Sequence, residues 1–115
     1  MATSYQSLGQ ECATFFIDDK AAFGTPCKVT GNNTVAPCEA SDAFCGIIQS
    51  VRDGLACVAY RGFVTTHYSG GEVPTKGYCM LTAGADGTVV VASEGATSYL
   101  VVNVDLAAQT VTFLI

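Results

Sequence analysis

Apolar residues gather in short runs rich in Val, Ile, Thr, Phe and Tyr. Turn-forming residues break these runs at close, even spacing, the pattern of an all-β sandwich or barrel. No window carries the 3.6-residue period of a long amphipathic helix. The pattern predicts strands near 11–18, 26–30, 34–38, 44–51, 55–66, 77–83, 88–93, 98–104 and 109–115. The expected fold is a compact β-barrel or β-sandwich of about eight to nine short antiparallel strands.

The joints carry their own signals. Asn32-Asn33, Asp53-Gly54 and Asp86-Gly87 tolerate the positive φ of tight hairpin turns, so three hairpins are expected. In the closing "TVTFLI", Val111, Phe113 and Ile115 share one face, with Thr110, Thr112 and Leu114 on the other. The run "LACVAYRGFV" differs: Leu55, Cys57 and Ala59 face one way, Ala56, Val58 and Tyr60 the other, and both faces are apolar. Such a strand is buried on both sides, within the domain or under a partner. Gly62 then marks a bulge or a close backbone approach.

A weaker signal is internal similarity. "CKVTGNNTVAPC" at 27–38 reappears as "CMLTAGADGTVVVA" at 79–92 when two extra residues are allowed in the turn. Cys27 then aligns with Cys79, Thr30 with Thr82, Thr34 with Thr88 and Val35 with Val89. Beyond it, "GIIQSV" falls opposite "LVVNV" and "CVAY" opposite "VTFL", as in two copies of a four-strand unit. In this alignment Cys38 corresponds to Ala92 and Cys57 to Val111, so these positions accept small apolar residues.

Length and composition narrow the function. At 115 residues the chain makes one domain, here expected over 11–115, behind a polar N-terminal arm at 1–10. The arm has Tyr5 and Leu8 as its large anchors and is expected to be flexible alone and ordered across a neighbouring subunit. Half the residues are apolar and only 13% charged, against roughly 25% in an average domain. So few charges imply surface covered by partners. The net charge of −5, with Lys20, Lys28, Arg52, Arg61 and Lys76 scattered, excludes a nucleic-acid footprint, which needs a concentrated positive patch.

The opening "MATSYQSLGQE" lacks a basic n-region and an apolar core, and no apolar stretch reaches the length of a membrane helix. Synthesis in a reducing cytoplasm, with no membrane partner, is therefore expected. The six cysteines then read as small apolar core residues before disulfides. A zinc site would want close pairs such as Cys-x-x-Cys, yet the nearest cysteines, Cys38 and Cys45, are seven apart. A Cys-His nucleophile would have to use Cys57 or Cys79 with His67, the sole histidine, which sits with Tyr68 at a strand end before Gly70-Gly71. The acids Asp18, Asp19, Asp42, Glu72 and Glu94 lie in turns, and no glycine cluster opens a phosphate loop. Neither a catalytic residue nor a cofactor is expected.

The succession "FGTPCKVTGNNTVAPCEASDAFCGIIQSVRDGLACVAYRGFVT" resembles the small all-β head-decoration, or capsid-cement, proteins of tailed bacteriophages and prophages. The likeness lies in the order of motifs over residues 11–115: Gly24-Thr25-Pro26, a polar turn before "TVAP", Gly46-Ile47-Ile48, Asp53-Gly54 and Gly62-Phe63-Val64. "PTKGYCMLTA" and the closing "VNVDLAAQTVTFLI" continue it. Cys at 27, 38, 45 and 57 departs from the Val or Ala expected there. The resemblance implies a protein on the outer surface of the virion capsid, commonly a homotrimer, bracing joints between major capsid protein subunits. Tyr5, Leu8, His67 and Tyr68 are the expected partner-interface residues. A structural β-domain of a phage tail or fibre, and a ligand-binding β-barrel with an internal cavity, are the other readings.

Overall fold

The structure, a computed structural model, describes residues 11–17, 23–93 and 95–115. It contains the strands β1 (Glu11–Ile17), β2 (Pro26–Gly31), β3 (Thr34–Pro37), β4 (Gly46–Arg52), β5 (Leu55–Arg61), β6 (Phe63–His67), β7 (Gly77–Ala83), β8 (Val89–Val91), β9 (Thr97–Asp105) and β10 (Thr110–Leu114). The fold is all-β, as the short runs and evenly spaced turns predict. β1 to β5 close into a barrel in the order β1-β3-β2-β4-β5, and β6 to β10 form a second sheet in the order β6-β10-β9-β7-β8.

The strand expected at 55–66 is two strands. Gly62, at φ 107°, lies between β5 and β6, in a backbone region closed to other residues, and the chain passes there from barrel to sheet. The Asn32-Asn33 and Asp53-Gly54 turns follow their sequence signals, with Asn33 at φ 56°, Asp53 at 51° and Gly54 at 78°.

The two five-strand units share one connectivity. β1 runs antiparallel to β5 and parallel to β3. β6 likewise runs antiparallel to β10, and a parallel bridge from Tyr68 to Val89 joins its end to β8. Even the irregularities coincide. A bulge lies between Ile48 and Ser50 on β4, and its counterpart falls between Val101 and Asn103 on β9. Ile48 pairs with Val58 as Val101 pairs with Phe113, all at most 2% exposed. Cys27 meets Gly46 as Cys79 meets Tyr99. One assignment shifts: Cys57 stands opposite Ser50 as Thr112 stands opposite Asn103, so Thr112 rather than Val111 is its counterpart. The cause is turn length: Asp105 pairs with Thr110 where Arg52 pairs with Leu55, so the β9–β10 turn is two residues longer than the β4–β5 turn.

The two-faced strand now has its cause. Ala56 and Val58 point into the barrel with Cys27, Val35 and Ile48. Ala59, with Ile47 of β4, packs into the second core, among Val64, Leu81, Val101, Val111 and Phe113. Burial of a side chain such as Ile47 or Phe113 contributes ~1.5–3 kcal/mol relative to exposure. Hydrogen bonds stitch the units together. The segment joining β3 to β4 lies along β7, with Ser41 N–H donating to Ala83 O (2.9 Å), Ala83 N–H to Asp42 O (3.0 Å) and Thr82 Oγ1 to Asp42 O (2.8 Å). Phe44 from that segment stacks on Tyr99 with ring centroids 5.1 Å apart and meets Phe113 edge-on at 5.9 Å. Thr66 of β6 donates to Gly24 O on the barrel side.

Candidate interaction face

The outer face of the second sheet carries an unbroken apolar row. Phe63 pairs with Leu114, Leu114 with Leu100, and Leu100 with Tyr78, so these four residues stand side by side across β6, β10, β9 and β7. Directly paired residues project from the same face, and three strand spacings make the row about 14 Å wide. Tyr78 is 77% exposed and Leu114 39%, with Phe63 and Leu100 half-buried.

The first unit holds the equivalent row in the same register: Cys12 with Ala59, Ala59 with Ile47, Ile47 with Pro26. There Ala59, Ile47 and Pro26 are fully buried. Ile47 and Ala59 pack on the second unit, whereas no part of the described chain covers Tyr78. A position that is interior in one unit is thus solvent-facing in the other. Tyr78 and Leu114 sit among otherwise polar outer positions such as Thr65 and Asn103.

A second apolar cluster rims the barrel end that holds the Asn32-Asn33 and Asp53-Gly54 turns. Phe16 (57% exposed) pairs directly with Leu55 (40%), and Val29 and Val51 lie at the same end. Two clefts lie on the second unit. One, of about 420 Å³, is lined by Ser41, Thr82, Val91, Thr97 and Tyr99 among others, the other, of about 350 Å³, by Val73, Pro74, Lys76, Val104 and Leu106. The closed barrel itself is filled by Cys27, Val35, Ile48, Ala56 and Val58.

The residues expected at an interface fare differently. His67 is exposed and lies in a polar row with Thr110 and Asp105. Tyr68 is not a surface residue: it is 6% exposed and belongs to the second core, because its bridge to Val89 turns the ring inward against β8. It has almost no area to offer a partner. Tyr5 and Leu8, with the rest of the arm, lie outside the described residues. Sequence reasoning missed Tyr78, Leu100, Leu114 and Phe63. Only Leu114 was placed on the face opposite Val111 and Phe113, and the alignment of all four into one row depends on pairings between strands distant in sequence.

Charge is sparse around these faces. Lys28 Nζ lies 2.7 Å from Asp42 Oδ2, which also accepts from Glu39 N–H at 2.9 Å. The Lys28 ammonium first, and that amide second, hold the Asp42 carboxyl below its ordinary value. All six cysteines are free thiols: Cys27, Cys38 and Cys79 buried, Cys57 half-buried, Cys12 and Cys45 exposed. Cys79 faces its own neighbour, at 3.8 Å from Met80 O, and His67 pairs across strands with Thr110. Among the described residues no group of three or more His, Cys, Asp or Glu is placed to hold a metal ion. No known family model matches the chain, and no curated protein matches it.

Proposed function

We propose that this protein is a capsid decoration protein of a tailed bacteriophage, which binds the outer surface of the expanded head and braces neighbouring major capsid protein subunits, as a homotrimer. The observation that carries the reading is the exposed Phe63–Leu114–Leu100–Tyr78 row, whose counterpart in the first unit is covered. An apolar row on a body with only 13% charged residues favours a protein partner over a solvated life. The resemblance of its motif order to that of head-decoration proteins supports the same partner. The work done is mechanical: a protein that binds only the expanded shell stabilises that shell by its binding free energy, summed over many sites. The packed barrel interior weighs against the ligand-binding reading, which needs a cavity there.

The test is to incubate the protein with emptied, expanded capsids of its phage, pellet them, and image the pellet by electron cryo-microscopy. Density at symmetry positions on the shell is expected, and the double variant Tyr78→Asp/Leu114→Asp should stay in the supernatant while melting as the parent does. Bare shells beside a soluble parent protein would refute the capsid reading. Binding to tails instead would move the protein to the tail or fibre class.

A further inference from the structure

Two of the six thiols are built as a pair. Cys27 lies on β2 and Cys45 just before β4, its neighbour in the barrel, and the Cys45 N–H donates to Cys27 O at 2.9 Å. Their Sγ atoms are 4.0 Å apart. Cys27 is fully buried and Cys45 exposed, so one sulfur meets solvent and the other waits behind it. The hydrogen bond from Cys27 brings the Cys45 thiol down to about 7, against partial burial and with help from its own backbone N–H. The same hydrogen bond, and then burial, push Cys27 strongly up, and its Sγ also lies 3.6 Å from Gly46 O as a donor, so Cys45 is the thiol of the pair that ionises first.

Cys12 and Cys57 also meet through a side-chain hydrogen bond, but there the exposed thiol is shifted the other way. Cys38 is buried and its thiol is pushed up to about 12 by burial, then by the Asp42 carboxylate. Cys12 is exposed like Cys45, but its thiol is raised by partial burial and then by Cys57. The molecule therefore carries its own control: two exposed cysteines, only one of them activated.

We propose that Cys45 is a reactive thiolate site for small-molecule disulfides and that Cys27 is its resolving partner, so that an oxidant of the glutathione-disulfide class converts the pair to an intramolecular disulfide. Cys45 Sγ attacks one sulfur of the oxidant, the oxidant's S–S bond breaks, and one small thiol leaves. Cys27 then gives up its proton and attacks Cys45 Sγ, expelling the second small thiol. Two protein thiols and one small disulfide become one protein disulfide and two small thiols, with the two protein protons carried off on the leaving groups. The sulfurs must close from 4.0 Å to a bond length of about 2.05 Å, which a rotation of the exposed Cys45 side chain supplies over a fixed backbone hydrogen bond. The product would tie β2 to the entry of β4 across an 18-residue separation, beside the segment that stitches barrel to sheet. This site does not depend on the capsid reading.

The fully reduced full-length protein is treated at about pH 7 with oxidised glutathione. Samples are quenched by acid, the remaining thiols are alkylated after unfolding, and products are read by intact mass and peptide mapping. The expected product has lost two hydrogens, takes up four labels (six thiols less two), and carries a Cys27–Cys45 linkage. Cys27→Ala, checked for a native melt, should stop with one glutathione on Cys45. In a separate short pulse of iodoacetamide, Cys45 should react at least about fivefold faster than Cys12. That is the net of its larger thiolate fraction and its weaker intrinsic nucleophilicity. Six labels after prolonged oxidation, glutathione settling on Cys12, or a linkage between any other two cysteines would overturn the proposal, and each is visible in the parent protein alone.

Discussion

Gly46 is where the barrel tolerates least. It opens β4, is buried, and pairs with Cys27 across β2. A Cβ there would lie 2.5 Å from Val58 Cγ1 and 2.7 Å from Ala59 O. Reaching the 3.4 Å of ordinary contact requires displacements of 0.9 Å (3.4 − 2.5) and 0.7 Å (3.4 − 2.7), the second against backbone. Val58 cannot yield freely, because it is fully buried between Ile48 and the rest of the barrel core. Overpacking of this kind costs about 3 kcal/mol at the upper end of its usual range, and the lower chain entropy of unfolded alanine returns roughly 0.4–1 kcal/mol. Gly46→Ala should therefore destabilise by about 2 kcal/mol. With an unfolding entropy of about 2.1 cal/mol/K per residue, the melting temperature should fall by about 8 °C. Thermal unfolding by circular dichroism and urea titration both read this, with Gly71→Ala, whose Cβ meets nothing within 4 Å, as the neutral control. A Gly46→Ala protein melting within about 2 °C of the parent would refute the steric reasoning.

Phe44→Ala removes a ring that joins the β3–β4 segment to the second core through Tyr99 and Phe113, and should cost about 3–5 kcal/mol, read as a lower urea midpoint. An unchanged midpoint would mean that the segment is held by its hydrogen bonds to β7 alone. Asp42 supplies a pH dependence of defined sign. Its folded pKa lies below the ordinary 3.8, so its contribution is present above that value and is lost as pH falls through the depressed one. A urea midpoint that drops on acidification below about pH 4 is expected, with a shallower drop in Asp42→Asn; identical acid limbs would remove Asp42 from the account.

Much of this fold is legible because short apolar runs broken by turn residues are a direct imprint of short paired strands. The hairpin turns were legible because Asn33, Asp53 and Gly54 occupy conformations that few residues tolerate. The join at Gly62 was only half legible: the apolar run of 55–66 continues straight through it, and the glycine signals a break without saying that the next residue belongs to another sheet. The internal similarity was read in outline and one residue astray at Cys57, since the longer turn between Asp105 and Thr110 is fixed by strand pairing and not by residue type. The apolar row and the thiol pair were out of reach for a common reason. Tyr78 and Leu100, or Cys27 and Cys45, become neighbours only through pairings that skip intervening strands, and Tyr68 was misplaced because its burial comes from a bridge to β8.

The barrel's closing seam sets a timetable for synthesis. Glu11 of β1 faces Arg61 of β5, so β1 completes its long antiparallel pairing only after a further 50 residues (61 − 11) have been made. At roughly 5–20 residues per second that is about 3–10 s, during which "ECATFFI" has both strand edges open and two adjacent phenylalanines unburied. The parallel pairing to β3 comes sooner but joins only Phe16 and Ile17 to Thr34 and Val35. The opening strand of each unit is thus exposed to capture by nascent-chain chaperones or a neighbouring copy, since β6 waits in the same way for β10, with Phe63 facing Leu114 a further 51 residues (114 − 63) along.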